Sequence, residues 1–400
     1  MDISALASTT PTPFFLYDAA IIRARVKELT DAFQNQRVTL HYAIKANDTR
    51  ALVELASHIG ACLVSMGEMQ RALDAGIPAD RMLMNGVGKS DDDIRFALQN
   101  GIGQLNVESL PELDRIADIA DQLGVRATIC LRLNPEITAN AHNHTTTARR
   151  TDKFGLLIED LPAAREIIAQ HQSLDWRGFS CHIGSQIHGV EELAESYRVM
   201  VDLFRAERAS QPQFDRLDLG GGFGVAYTGD HYARPADYAV IIGELTHDLQ
   251  KSGVTIQLEP GRFLVAEAGQ LLTKVLYVKN SGGTRFVIVD AAMNNLIRPA
   301  LYQAYHPVTL TRTSTAVPQP MTLVGPVCES ADCFGRDYML PDDVQAGDIL
   351  AIGYAGAYGA VMSSQYNARP RLAEVMVDGT QHRLIRRAFT AADLDAATLV

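Results

Sequence analysis

Apolar and polar positions recur with two different periods along this chain, and the change of period divides it. Short apolar runs occur at 39–45, 61–65, 82–85, 104–107, 127–133, 178–183, 216–219 and 255–259. Between most of them lie stretches with apolar residues at helical spacing, such as 91–98, 110–122 and 191–208. Strands that alternate with helices pair in parallel, because the helix carries the chain back to the same starting end. Eight such units predict an α/β fold, a (β/α)8 TIM-like barrel. After about residue 265 the texture changes. Runs at 270–278, 285–290, 321–327 and 348–352 are separated by turns rather than helices, which predicts a mostly antiparallel β domain. Residues 14–17 read as a strand that can join it. The expected division is 27–264 for the barrel, and 1–26 with 265–400 for the β domain.

Composition narrows the function. A chain of 400 residues exceeds what one core usually serves. Hydrophobic residues at 47% and charged residues at 21% are an ordinary globular balance, enough to bury a sizeable core. A formal net charge of -11 argues against nucleic acid, whose phosphates need a basic face. No apolar run approaches the roughly 18 residues of a membrane-crossing helix, so no membrane partner is expected. Residues 1–10 lack the basic and apolar segments of a secretory signal. The five cysteines, Cys62, Cys130, Cys181, Cys328 and Cys333, are odd in number and scattered, which fits a reduced, cytoplasmic location. Cys328 and Cys333 do not form a CxxC pair, and no metal is expected.

The C-terminal strand ends of a (β/α)8 barrel form its active site. Here they carry Lys45, Asn85 with Gly86, Glu108, Arg132 with Asn134, His182 with Ser185, Gly220 to Gly222, and Glu259. Lys45 ends a largely apolar run. Read alone it is equally a rim lysine facing water and a desolvated amine made nucleophilic toward a carbonyl. The glycines at 220–222 and 224 let backbone N–H groups approach a phosphate, or simply make a tight turn. They lack the GxGxxG register, which disfavours a dinucleotide site. Glu259 and Arg262 flank Pro260 and Gly261. They are either a surface ion pair or a division of labour, the carboxylate keeping a heterocyclic nitrogen protonated and the arginine holding an anion. Cys328 beside Glu329 suggests a functional loop, against the commoner buried structural cysteine. Arg298 and Tyr302, four apart, either share one carboxylate or belong to a polar helix face.

Nine motifs in order carry a resemblance over nearly the whole chain. They are Tyr-Ala-Ile-Lys-Ala-Asn at 42–47, Asn-Val-Glu-Ser at 106–109, Lys-Phe-Gly at 153–155, His-Ile-Gly-Ser-Gln at 182–186, and Leu-Asp-Leu-Gly-Gly-Gly-Phe-Gly at 217–224. Glu-Pro-Gly-Arg at 259–262, Ile-Arg-Pro-Ala-Leu-Tyr at 297–302, Gly-Pro-Val-Cys-Glu-Ser at 325–330 and Gly-Ala-Tyr-Gly at 356–359 complete the series. The chain resembles the fold-type III pyridoxal-phosphate decarboxylases, most closely those acting on diaminopimelate in the last step of lysine biosynthesis. The resemblance implies pyridoxal 5'-phosphate held by Lys45, with His182 stacked on its ring and Glu259 on its pyridine nitrogen. It implies that Ser185, Gly220, Gly221, Gly222 and Tyr358, with Gly261 and Arg262, serve the cofactor. Arg262, Arg298, Tyr302, Glu329 and Tyr358 would meet the substrate. Cys328 would reach the neighbouring subunit's site, which makes a homodimer with shared active sites, and would rival Lys45 as the proton donor.

Two departures bear on the substrate. Where such enzymes usually carry Asp, this chain has Cys62, and in the loop before Lys153 the Gly of a usual Ser/Thr-Thr-Gly element is replaced by Ala148, with Arg149 and Arg150 following. An alternative expectation is therefore a decarboxylase of another diamino acid or of a siderophore or secondary-metabolite intermediate. A non-catalytic pyridoxal-phosphate protein would be a bare barrel, and amino-acid racemases match the Cys-Glu-Ser and Arg-Pro-Ala-Leu-Tyr elements poorly.

Overall fold

The structure is a computed structural model that describes residues 6, 10–135, 150–187, 189–229 and 232–396. The chain divides into two compact units. One comprises Ala24–Val225 and His231–Phe263; the other comprises Met1–Arg23, Ala226–Asp230 and Leu264–Val400.

Strand β1 (Phe14–Asp18) belongs to the second unit. The first unit then contains β2 (Val38–Ala43), β3 (Gly60–Leu63), β4 (Met82–Met84), β5 (Gln104–Val107) and β6 (Ala127–Asn134). The two-residue β7 (Leu156–Leu157) lies beside β6, and β8 (Leu174–Ser180), β9 (Arg216–Asp218) and β10 (Thr255–Leu258) follow. Parallel pairing runs β2-β3-β4-β5-β6-β8-β9-β10 and returns to β2, closing an eight-stranded barrel. Closure leaves no free sheet edge. Serines start three of the helices that follow strands: Ser65, Ser90 and Ser109 accept the backbone N–H of Glu68, Asp93 and Glu112. Each such cap contributes about 1 kcal/mol and sets where the strand-to-helix loop ends. These loops bear the candidate site.

The first barrel strand is shorter than expected. It stops at Ala43, and Ile44–Ala46 curl into one 3-10 turn that carries Lys45. The Tyr42 hydroxyl donates to the Asn47 carbonyl at 2.7 Å and so ties the turn down. Strand β8 begins at Leu174, ahead of the expected 178, because Leu174 and Trp176 are buried and pair with β6.

The second unit holds β11 (Gly269–Ser281), β12 (Thr284–Val289), β13 (Val308–Leu310), β14 (Pro318–Val324), β15 (Cys333–Pro341), β16 (Ile349–Ile352), β17 (Ala373–Asp378) and β18 (Gln381–Arg386). The order is β15-β14-β12-β11-β1-β17-β18, with β16 on β11 and β13 on β16. Pairing is antiparallel except for β1 with β17 and β12 with β14. The 13-residue β11 holds the sheet together, pairing with β1 and β16 at its start and with β12 beyond an irregularity between Val275 and Tyr277. Strands β13, β15, β17 and β18 were not expected from the sequence pattern. β15 and β18 carry charged and exposed residues that mask any alternation, and all six residues of β18 are exposed or half-exposed.

Candidate active site

The barrel interior carries a connected set of polar side chains. On β5, buried Gln104 and Asn106 alternate with Leu105 and Val107, so the polar pair faces inward and the apolar pair faces the helices. Gln104 Nε2 donates to Asn106 Oδ1 at 2.8 Å. Asn106 Nδ2 donates to Asn85 Oδ1 at 2.9 Å and to Asp218 Oδ2 at 3.0 Å. Asn85 Nδ2 donates to Glu259 Oε1 at 2.6 Å and to Cys62 Sγ at 3.1 Å. Asp218 Oδ1 accepts the Gly220 N–H at 2.9 Å. Burial, and then the nearby Glu259, push the Asp218 carboxyl well above the usual carboxylate range.

Lys45 is half-buried at the end of the same barrel. It lies within electrostatic reach of Cys62, Glu68 and His182. Burial pushes the Cys62 thiol well above its ordinary value, with Glu259 adding to the effect, so Cys62 is a neutral thiol. Glu68 accepts the Val64 N–H at 2.8 Å, and burial raises its carboxyl to about 7. His182 Nδ1 accepts the Gly221 N–H at 3.2 Å. Desolvation, with Lys45 and Arg132 nearby, holds the imidazole well below its usual pKa, so the ring is neutral. Arg132 itself pairs with Glu108 at 2.7 Å, and Glu108 also accepts the N–H groups of Gly86 and Gly155.

The glycine run has a steric requirement. A Cβ on Gly220, whose φ is +71°, would collide with the Cys181 carbonyl, and one on Gly221 would collide with the Glu259 carbonyl. Backbone is thus packed against backbone beneath an N–H-bearing turn that also contains Gly222. Gly261 passes close to Ala43, where an added Cβ would lie 3.0 Å from the alanine Cβ. Arg262 is buried and its Nη2 donates to Ser185 Oγ at 2.9 Å.

The remaining sequence candidates belong to the second unit. Arg298 and Tyr302 bound a one-turn helix, four apart on one side. Arg298 is buried, and its Nη1 donates to His306 Nε2 at 2.8 Å. Cys328 and Glu329 are exposed. Their loop is held from behind by Asp332, which accepts the N–H groups of Val327 and Met293, both at 2.7 Å. The Cys328 N–H donates to Asn367 Oδ1 at 3.0 Å. Tyr358 adopts a φ of +56°, a left-handed conformation costly for a tyrosine and concentrated at functional positions. Ala148 and Arg149 lie outside the described residues; Arg150 makes an exposed pair with Glu159 at 2.7 Å.

Sequence reasoning missed Gln104, Asn106, Asp218, Glu68 and His306. The first two had a visible signal, polar residues alternating with apolar ones on a barrel strand. Asp218 sits in a motif whose glycines drew attention first, and Glu68 and His306 lie outside the motifs. Among the described residues no group of three or more His, Cys, Asp or Glu side chains could hold a metal. Among them, too, no helix is long and apolar enough to cross a membrane.

A barrel mouth with a lysine, a neutral histidine, a glycine cradle and a buried carboxyl is the donor set of a pyridoxal-phosphate enzyme. The family model described as the pyridoxal binding domain of pyridoxal-dependent decarboxylases matches residues 19–266. The diaminopimelate decarboxylase of Pseudomonas aeruginosa is 40% identical over 98% of this chain and 94% of its own length. That of Zymomonas mobilis is 39% identical over 97% of this chain and 93% of its own. The crystal structure of the Helicobacter pylori diaminopimelate decarboxylase complexed with L-lysine matches with a TM-score of 0.94 and 39% identity, covering 99% of both chains. The chain belongs to the pyridoxal-dependent decarboxylase family. Its cofactor is pyridoxal phosphate, and the residues present fit that group. Buried Arg262, bonded to Ser185, offers a cation to a phosphate, and Glu259 ends a buried donor network.

Proposed function

We propose that the protein decarboxylates meso-2,6-diaminopimelate to L-lysine and CO2. The observation that carries this reading is the set of Lys45, neutral His182 and clamped Glu259 on one barrel, in a chain similar over its whole length to diaminopimelate decarboxylases. When bound, pyridoxal phosphate supplies an electron sink for the bond to the departing carboxylate. Lys45 is the amine that holds it. Asn85 fixes Glu259, which keeps the pyridine nitrogen protonated. His182 would offer a neutral ring face to the cofactor. Ser185, the Gly220 to Gly222 turn, Gly261, Arg262 and Tyr358 serve the cofactor, chiefly its phosphate.

Arg262, Arg298, Tyr302 and Tyr358 meet substrate carboxylates, and Glu329 meets the distal amine. An arginine fork suits a carboxylate bidentately, and a carboxylate suits an ammonium. A proton returns to the carbon that loses CO2, from the Cys328 thiol or the Lys45 ammonium. The exposure of Cys328 supports its use in a second subunit's site, hence a homodimer, and the odd, scattered cysteines support action in the cytoplasm. Mixing inactive Lys45→Ala and Cys328→Ala proteins then restores activity.

The test of substrate is direct. Cofactor-loaded protein given diaminopimelate should release lysine and CO2 in equal amounts. Release of neither defeats the reading. A second reading, favoured by Cys62, is decarboxylation of another diamino acid, and strong preference for diaminopimelate in a substrate panel removes it.

A further inference from the structure

Arg298 is more tightly held than a residue that only needs to carry charge. Its Nη1 donates to His306 Nε2 at 2.8 Å, and His306 Nδ1 lies 2.9 Å from the Gly353 carbonyl oxygen. The imidazole is fully buried. A carbonyl can only accept and a guanidinium can only donate, so Nδ1 carries the hydrogen and Nε2 the lone pair. Both bonds are satisfied by one tautomer of the neutral ring and by no other protonation state. The Tyr227 ring lies 4.7 Å from the guanidinium carbon, so Arg298 rests on its face. The same ring meets His306 edge-on at 5.4 Å and Tyr354 at 5.5 Å. An in-plane acceptor and an aromatic face together fix the plane of a guanidinium. Charge alone gains nothing from either, whereas bidentate capture of a planar carboxylate gains from a guanidinium held in one plane.

We propose that His306 is a positioning residue that, with Tyr227, sets the plane of the Arg298 fork and so selects substrates with a second carboxylate. This rests on the reading that Arg298 binds a substrate carboxylate.

The test compares diaminopimelate with lysine, which lacks the distal carboxylate, as substrates of cofactor-loaded wild type and of His306→Leu, His306→Gln and Tyr227→Leu. Loss of a hydrogen bond that orients a charged group should raise KM for diaminopimelate roughly ten- to a hundredfold in His306→Leu. The turnover number should fall less than about threefold, the signature of lost binding rather than lost chemistry. Preference for diaminopimelate over lysine should fall in parallel. His306→Gln, which can still present an acceptor to Arg298, should recover most of the loss, and Tyr227→Leu should show a smaller rise of KM. Cofactor absorbance should match wild type throughout. If His306→Leu does not fold, Tyr227→Leu still decides, since it predicts a rise in KM ahead of turnover, with His306→Gln staying close to wild type. Equal losses in turnover and binding, or unaltered preference between the two substrates, overturn the inference. A wild type that makes no lysine from diaminopimelate defeats the functional reading instead.

Discussion

The two units treat their polar residues differently. In the barrel unit the key side chains are tied to one another: Gln104, Asn106, Asn85, Asp218 and Glu259 form one buried chain of hydrogen bonds. In the second unit the candidates sit on short loops and turns held mostly through backbone. Asp332 braces the Cys328 loop by two N–H groups, and Cys328 and Glu329 themselves stay exposed. Arg298, buried against His306 and Tyr227, is the exception. The contrast fits the work proposed for each set. A group that tunes a cofactor must hold a fixed charge and position in a dry interior, where unpaired polar atoms are costly. A group that meets a substrate must be reachable from water.

That contrast can be broken at four points. The largest effect is expected from Lys45→Ala, which should abolish the cofactor's lysine-bound absorbance and cut turnover on the order of 10²–10⁴-fold, as loss of a proton-transfer group does. Spectra and steady-state rates check it. Next, Asn106→Leu strips partners from Asn85, Asp218 and Gln104 at once. It should cost about 3 kcal/mol or more in urea unfolding, since each orphaned buried polar group costs about 1–3 kcal/mol. Glu329→Gln should do the reverse: kcat/KM for diaminopimelate falls roughly ten- to a hundredfold through loss of a charged hydrogen bond. Its unfolding free energy should stay within about 0.5 kcal/mol, as for an ordinary surface change. Comparable destabilisation by both substitutions would erase the distinction between the units.

The smallest effect concerns Glu68. Its carboxyl is raised from 4.5 to about 7 in the folded state. The folded protein therefore binds a proton that the unfolded chain releases, and stability is lost as pH rises between those values. Glu68→Gln keeps an acceptor for the Val64 N–H and should remove that slope. After discounting for partial exposure, the gain above pH 7 should be about 1–2 kcal/mol. Melting temperatures at pH 5 and pH 8 measure it, and an unchanged slope refutes it.

Much of the architecture was legible in one dimension. Burial on both faces of parallel strands and amphipathic helices between them leave an apolar period that survives in sequence, so eight barrel strands could be counted. The glycine run and the ends of β2, β8 and β10 marked Lys45, His182, Gly220 to Gly222 and Glu259 for the same reason, being polar or tiny residues where an apolar run stops. The second sheet was only half legible. Its edge strands face water, and β15 and β18 carry charges that no alternation rule recognises.

What sequence alone determined was the kind of elements, their order and the identity of the chemical groups, because those depend on local period and residue type. Tertiary structure decided which groups touch. Asn106 and Asp218 are 112 residues apart, and Asn85 and Glu259 are 174 apart, yet both pairs are hydrogen-bonded. No local spacing encodes those contacts; closing the barrel creates them. The same holds for the tautomer of His306, which two bonds to residues 8 and 47 positions away impose. A side chain's charge state and aim depend on its neighbours in space, and only the folded chain supplies them.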